Sequence, residues 1–219
     1  MKILVLATPR SGSTSLTKLI YSHLKSSEYS IFIEPFNSNF YKKYKSNGFD
    51  FETYIPLQNF DNLLVKSLLL VGNIEYPIKS FNNNESYLKW CISFFDKIII
   101  LDRKDKLSQS QSFVINETMF REKGLDWHSP KYYDFSNIDK TYLERMIVRY
   151  EESSKLLLNI SNKYNIPTYY YEDIFLDNSG QIIKLFEYLN VNFDVLKYND
   201  YLINKKGKVK IDKNISKLI

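Results

Sequence analysis

A short polar segment, "TPRSGST" at residues 8–14, directly follows the apolar run "KILVLA". A buried strand that enters such a turn and then a helix surrounds an anion with backbone N–H groups and the positive end of a helix dipole. Gly12 lets the backbone approach the anion closely, and Arg10 adds a permanent charge with a planar set of donors. We therefore expect an anion site made by Arg10, Ser11, Gly12, Ser13, Thr14 and Ser15. An ordinary turn, with Thr14 or Ser13 capping the helix, is the simpler alternative.

The loop differs from the usual phosphate loop because it contains no Lys in a Gly-Lys-Ser/Thr sequence. That Lys and the following hydroxyl are what hold a magnesium triphosphate. Asp102 is the nearest candidate for a magnesium ligand, and Arg103 beside it would compete with the metal. The sequence has no Cys/His cluster with metal-ligand spacing, so we expect no metal site.

Charged residues also follow the other predicted strands. Glu34 follows the second strand, Lys66-Ser67 is interpreted as the end of the third, and Arg103 follows the fourth. A helix with Ser108, Ser110 and Ser112 comes next. In a parallel sheet the carboxyl ends of the strands meet at one edge, where ligands bind. Each charge alone could be a solvated strand end, but together with Arg10 they predict one anion-binding edge.

The elements that must position these residues alternate between strand and helix. Continuous apolar runs, typical of buried parallel strands, predict strands at residues 2–7, 29–36, 62–71, 97–103 and 168–175. Helical periodicity fills the segments between them, including a long helix at 139–164. We predict an α/β fold of P-loop-like, three-layer type, with a central, mainly parallel sheet of about five strands flanked by helices. Residues 1–219 are expected to form one domain, and the tail from Tyr198 onward shows little apolar periodicity.

Composition narrows the class of protein further. The net charge of +5 suits an anionic ligand, but only the "KKGKVKIDK" tail is densely basic, so nucleic acid is not the expected partner. A lone cysteine, Cys91, cannot form an internal disulfide and fits a reducing compartment. No apolar run has the length of a signal peptide or a membrane span. We expect a cytoplasmic protein without stable membrane insertion.

Three segments resemble the sulfotransferases that use 3′-phosphoadenosine 5′-phosphosulfate (PAPS). "TPRSGST" resembles the family's loop for the 5′-phosphosulfate, and "IIILDRKDKLSQSQS" resembles its strand–Arg–helix–Ser element for the 3′-phosphate. "YYYEDIFLDNSGQIIKLFEYLNV" resembles its later Tyr-Glu-Asp strand and the helix after it. The likeness is greater to the bacterial carbohydrate branch typified by trehalose sulfotransferase. Its R-x-D-K-x-x-Q-x-x-S pattern corresponds here to Arg103, Asp105, Lys106, Gln109 and Ser112.

The resemblance implies a transfer of the sulfuryl group from PAPS to a hydroxyl of a carbohydrate or small-molecule acceptor, without a metal. Arg103 and Ser112 would hold the 3′-phosphate, with Ser110, two residues away, as the alternative if the register is slightly different. The family's Lys-Thr-His corresponds to Lys66-Ser67-Leu68, which lacks the His. Lys66 and Arg10 would then act on the transferred group. A homodimer is a further possibility.

The resemblance also suggests a base and a closing loop. Glu34 matches the Glu that the trehalose-type enzyme is thought to use as its base, and Pro35 should restrict Glu34 to an extended backbone. His128 is the other candidate base. Lys206 and Gly207 match part of the family's late Arg-Lys-Gly loop for the nucleotide.

Two other functions remain open from the sequence. The first is a nucleotide or small-molecule kinase of the P-loop type, which would need ATP and magnesium. The second is a non-catalytic binder that keeps the nucleotide site without the chemistry, because the family's His is absent.

Overall fold

The structure is a computed structural model that describes residues 1–24, 28–37, 44–50, 54–71, 73–74, 81, 84–123, 138–176 and 180–206. Its strands are β1 (Lys2–Ala7), β2 (Ser30–Ile33), β3 (Leu63–Leu70), β4 (Asn73–Ile74), β5 (Lys97–Asp102) and β6 (Thr168–Tyr170). Its helices are α1 (Ser13–His23), α2 (Ile55–Gln58), α3 (Asn84–Phe94), α4 (Lys106–Lys123), α5 (Lys140–Tyr164), α6 (Tyr171–Phe175), α7 (Gln181–Leu189) and α8 (Val195–Lys206).

The sheet is built around β1. Its parallel strands lie in the order β2-β3-β1-β5-β6, and β4 pairs with β3 in the antiparallel direction. The chain leaves β1 to one side to form β2 and β3, and later returns to the other side to form β5 and β6. The carboxyl end of β1 is therefore a topological switch point, the place where such sheets bind ligands. This architecture confirms the predicted α/β class with a parallel sheet.

Both faces of β1 are buried, which is why its sequence is continuously apolar. Ile3, Val5 and Ala7 pack against α1, α7 and α8 on one face. Leu4 and Leu6 pack against α3 and α5 on the other face. The alternation of adjacent side chains between two faces thus gives the three layers that the sequence predicts.

The segment "TYYYEDIF", predicted as one strand, is half strand and half helix. β6 ends at Tyr170, which pairs with Asp102, the last residue of β5. Beyond this point β5 offers no further partner, and the chain turns into α6. Glu172 and Asp173 lie in the first turn of α6, where acidic side chains interact favourably with the helix dipole.

The third strand occupies nearly the whole predicted segment 62–71, so Lys66 and Ser67 lie within β3 and not at its end, where the sequence analysis placed them. β1 pairs with β3 as far as Leu68, and β4 then turns back to pair with Leu69 and Leu70. These partners satisfy the backbone of β3 for three residues beyond Ser67.

The tail contains a helix that the sequence analysis missed. Tyr198, Tyr201 and Leu202 pack onto the core around α1, and their i, i+3, i+4 spacing is that of one helical face. The Asp194 carboxylate accepts hydrogen bonds from the N–H groups of Leu196 (2.9 Å) and Lys197 (3.2 Å) at the start of α8. Lys and Asn between the apolar positions obscured this pattern.

The packing of α7 gives a direct stability prediction. Leu185 is fully buried in the core on the α1 side of the sheet, whereas Ile183 of the same helix is 45% exposed. Leu185→Ala should lower the free energy of unfolding by about 2–5 kcal/mol, because it removes buried apolar surface and leaves a cavity. Ile183→Ala, the matched control, should change it by less than about 1 kcal/mol. Urea denaturation followed by circular dichroism measures both, and equal losses would contradict this packing.

Candidate functional site

The loop between β1 and α1 turns sharply before the helix. Arg10 and Gly12 both have positive φ angles, 61° and 81°. The Ser11 hydroxyl and N–H both donate to the Thr8 carbonyl, at 2.7 and 3.4 Å. Gly12 is the N-cap of α1 and no side chain caps the helix, so the predicted capping by Thr14 or Ser13 is wrong. Among the described residues no N-cap side chain therefore occupies the first N–H groups of α1, as an anion site requires.

Gly12 is required here by a close neighbour as well as by its backbone angle. A Cβ atom at this position would lie 2.5 Å from Cδ2 of Tyr171. The Tyr171 ring thus packs directly on the loop, and the guanidinium of Arg103 lies 5.1 Å from the centroid of the same ring. Tyr171 therefore contacts both the loop and Arg103.

Arg10 extends from the loop to helix α4. Its Nε donates to the Ser112 hydroxyl at 3.0 Å. Burial lowers the pKa of the Arg10 guanidinium; Tyr150 and Glu34 oppose this shift, and the charge of Arg103 adds to it. Two arginines are therefore near enough to repel each other at this edge of the sheet.

A network of buried polar side chains fixes the loop to α4. The Thr8 hydroxyl donates to Asp102 Oδ1 at 3.0 Å, and Lys106 Nζ donates to both oxygens of Asp102 at 2.8 and 2.9 Å. Gln109 Nε2 donates to Thr8 Oγ1 at 2.8 Å and to the Pro9 carbonyl at 2.7 Å. Lys106 and Gln109 of the predicted motif thus position the loop.

Glu172 and Asp173 hold the turn after β5, which carries Arg103. The Glu172 carboxylate accepts from the N–H groups of Lys104 (2.9 Å) and Asp105 (3.1 Å). Glu172 Oε1 also lies 3.8 Å from Nε of Arg103, an ion pair but not a hydrogen bond. Lys104 pairs with Asp173 at 2.5 Å. The Tyr-Glu-Asp segment therefore contributes one side chain to the loop and two to the Arg103 turn.

Asp105 begins helix α4. Its carboxylate accepts from the Ser108 N–H at 2.9 Å and from the Ser108 hydroxyl at 2.5 Å. Burial raises the pKa of Asp105, but these hydrogen bonds and the charge of Arg103 together bring the pKa below its ordinary value. Asp105 thus stays ionised as a helix-capping group.

Glu34 and Lys66 form a buried ion pair beside the loop. Lys66 Nζ contacts Glu34 Oε1 and also donates to Thr14 Oγ1 at 2.8 Å. The two side chains are only 12% and 3% exposed. The structure therefore brings the predicted acid, one predicted cation and the predicted loop together.

The backbone of Glu34 is not extended, contrary to the expectation from Pro35. Its φ angle is 52°, in the left-handed region that non-glycine residues rarely adopt. The Glu34 N–H donates to the Lys66 carbonyl at 2.9 Å, and its carbonyl accepts from Asn37 N–H at 3.1 Å. These contacts and the ion pair outweigh the local preference, and such strain is characteristic of functional positions.

The other predicted site residues have mixed positions. Ser13 is buried, and Ser15 contributes a hydrogen bond to Tyr201 of α8. Helix α8 ends at Lys206, but the Lys206 side chain, Gly207 and the alternative base His128 lie outside the described residues.

Four buried polar atoms of this region have no hydrogen-bond partner among the described residues: Arg103 Nε, Gln109 Oε1, Ser110 Oγ and Tyr150 Oη. Native proteins pair nearly all such groups, so each unpaired one requires an explanation. Ser110, the alternative to Ser112, is fully buried. All four atoms belong to residues next to the Arg10 loop or on the helices α4 and α5 that pack beside it.

Sequence reasoning missed the packing of Tyr171 on Gly12 and the position of Tyr150. The spacing of residues 12 and 171 along the chain carries no sign of their contact. Tyr150 lies in an ordinary amphipathic helix, where an aromatic residue normally indicates core packing. Only the tertiary structure distinguishes its hydroxyl from those of other buried tyrosines.

Metal and membrane features were searched within the described ranges. No group of three or more His, Cys, Asp or Glu side chains there is placed to bind a metal ion. None of the described helices is long and apolar enough to cross a membrane.

Comparisons with known proteins identify similar structures but no sequence relatives. No protein-family profile and no curated protein sequence matches the chain. Among solved structures, the crystal structure of mouse sulfotransferase SULT7A1 complexed with PAP has a TM-score of 0.58 at 13% identity. Retinol dehydratase, in complex with androsterone and the inactive cofactor PAP, has a TM-score of 0.50 at 16% identity.

Each alignment covers 93% of this chain and 63% of the other protein. The chain thus spans less than two thirds of the length of these two proteins. At such low identity the likeness concerns the fold, and the structure of this chain is of the type found in these PAP-bound proteins.

Proposed function

We propose that this protein is a sulfotransferase that moves a sulfuryl group from PAPS to a hydroxyl group of an acceptor. The observation that carries the proposal is the convergence of Arg10 and Arg103 at the carboxyl end of β1, beside the uncapped start of α1. Two cations and a helix start at a switch point suit a ligand with two separate anionic ends. The fold shared with PAP-bound sulfotransferase SULT7A1 supports the same ligand.

We assign separate residues to the two ends of the nucleotide. The backbone of Gly12, Ser13 and Thr14 and the Arg10 side chain would hold the 5′-phosphosulfate. Arg103, whose Nε is buried without a hydrogen bond, would hold the 3′-phosphate with Ser112. Ser112 already accepts from Arg10, so it would link the two ends. The unpaired hydroxyl of Ser110 is the alternative contact for the 3′-phosphate.

The reaction needs charge stabilisation more than covalent chemistry from the protein. The acceptor oxygen forms a bond to sulfur while the bond from sulfur to the 5′-phosphate oxygen breaks, and PAP leaves with that electron pair. By analogy with phosphoryl transfer, preorganised donors supply most of the rate enhancement. Arg10, Lys66 and the N–H groups of α1 are the donors proposed for this task.

Glu34 is the proposed acceptor of the proton that the hydroxyl loses. Its carboxylate is fixed by Lys66 and by Asn37 Nδ2, which donates to Glu34 Oε2 at 3.2 Å. The contact of Lys66 with Thr14 places this pair at the first turn of α1. Lys66 would therefore orient the base and offset charge on the leaving oxygen.

The acceptor proposed is a carbohydrate or another small hydroxyl compound, as in the trehalose-type branch that the motifs resemble. A P-loop kinase is not favoured. Asp102, the strand-end residue that could hold magnesium, is occupied by Lys106 and Thr8.

The ligand preference tests the proposal at the level of binding. PAP at one hundred times its dissociation constant should stabilise the protein by about 2.7 kcal/mol, while ATP with or without magnesium should have much less effect. Differential scanning fluorimetry with the three ligands measures this. Stabilisation by magnesium-ATP and none by PAP would favour the kinase instead.

The role of Arg103 gives a prediction about the 3′-phosphate. Arg103→Ala should weaken PAP binding by roughly 10- to 100-fold, because it removes a charge-assisted contact. Its effect on AMP, which lacks the 3′-phosphate, should be small. Arg145→Ala removes an exposed arginine of α5 and is the control for net charge. Isothermal titration calorimetry decides the question, and equal losses for PAP and AMP would refute the assignment.

The role of Glu34 gives a prediction about rate. Glu34→Gln should reduce transfer from PAPS by roughly 10²–10⁴-fold with nucleotide binding intact, as expected for loss of a general base. Release of PAP in the presence of an active acceptor measures turnover. Glu85→Gln, at an exposed position of α3, controls for the loss of one negative charge. A variant that binds nucleotide poorly but turns over normally at saturation would make Glu34 structural and His128 the next candidate.

A further inference from the structure

Tyr150 is a buried residue of α5 with an unexplained hydroxyl. The side chain is fully buried, and its hydroxyl has no hydrogen-bond partner in the described part of the chain. Leaving a buried hydroxyl unpaired costs free energy, whereas Phe would fill the same space without that cost. The unpaired hydroxyl therefore indicates that a bound ligand is its hydrogen-bond partner.

The surroundings of Tyr150 place it beside Arg10. The ring packs with Leu70 at the end of β3 and with Val114 of α4, and its centroid lies 6.2 Å from that of Phe113. Phe113 directly follows Ser112, which accepts the hydrogen bond from Arg10. Tyr150 thus contacts the same turn of α4 that holds the Arg10 guanidinium.

The charges around Tyr150 agree with this position. Burial raises the pKa of the Tyr150 hydroxyl far above its ordinary value, and Arg10 is the strongest charge that opposes the rise, ahead of Arg149 and Arg103. The hydroxyl remains protonated at any working pH and acts as a hydrogen-bond donor. Arg149 is itself engaged, because its Nη2 donates to the Val71 carbonyl at 2.8 Å.

We propose that the Tyr150 hydroxyl donates a hydrogen bond to the sulfuryl end of the nucleotide, the anion that Arg10 holds. The inference rests on the proposed function and adds a residue that distinguishes the sulfated donor from the desulfated product. The contact with Leu70 favours the sulfuryl end over the 3′-phosphate, because Leu70 lies at the end of β3 and Arg103 follows β5 on the other side of β1.

Binding of four nucleotides to Tyr150→Phe tests the proposal, by calorimetry without an acceptor. PAPS and adenosine 5′-phosphosulfate carry the sulfuryl group, whereas PAP and AMP do not. The variant should bind the first two roughly 10- to 100-fold more weakly, the range for a hydrogen bond to a charged group. It should bind PAP and AMP within about twofold of the wild type. Without ligand it should melt at the same temperature or higher, since an unpaired buried hydroxyl has been removed.

Tyr198→Phe is the matched control. Tyr198 is also buried, but its hydroxyl donates to the Ile174 carbonyl on the other face of the sheet. Removal of the Tyr198 hydroxyl should have the same effect on the binding of all four ligands. Three results for Tyr150→Phe would overturn the inference while leaving the proposed function intact. They are a loss of affinity only for the ligands with a 3′-phosphate, an equal loss of affinity for all four ligands, and no loss of affinity. A wild-type protein that binds none of the four would overturn both.

Discussion

Two positively charged side chains, Arg10 and Arg103, have to be held at one edge of the sheet with Arg10 partly buried, and the cost of keeping these charges there is the constraint on which the site depends. Burial lowers the pKa of the Arg10 guanidinium most, and repulsion by the charge of Arg103 lowers it further. Ser112 fixes Arg10 by a hydrogen bond, and Glu172 and the ring of Tyr171 fix Arg103. A ligand with two negative groups would relieve the repulsion without moving either side chain, which is the physical meaning of a preorganised site.

The rest of the fold serves to keep these two groups in place. The switch point at β1 brings the loop and the end of β5 side by side. The network of Thr8, Asp102 and Gln109 then fixes the loop to α4. Tyr171 fills the space beside Gly12 so closely that the loop accepts no side chain there.

The sequence alone was sufficient to predict the parallel sheet and the site residues that directly follow its strands. Continuous apolar runs identified the five parallel strands, because burial on both faces removes polar residues from them. Because the carboxyl ends of parallel strands meet at one edge of a sheet, Arg10, Glu34 and Arg103 could be placed together there. The short helix α6 and the helix α8 could not be derived, since they depend on the end of β5 and on packing against α1. The left-handed backbone of Glu34 contradicts the local rule for a residue before proline, because tertiary hydrogen bonds decide it.

The crystal structure of the complex with PAP tests the central claim most directly. The account predicts the 5′-phosphate at the first N–H groups of α1 beside Arg10, and the 3′-phosphate on the guanidinium of Arg103. The Arg10–Ser112 and Tyr171–Gly12 contacts should be retained, because the site is already formed without ligand. Electron density for the nucleotide away from these two arginines, or a loop that rearranges to admit it, would contradict the account.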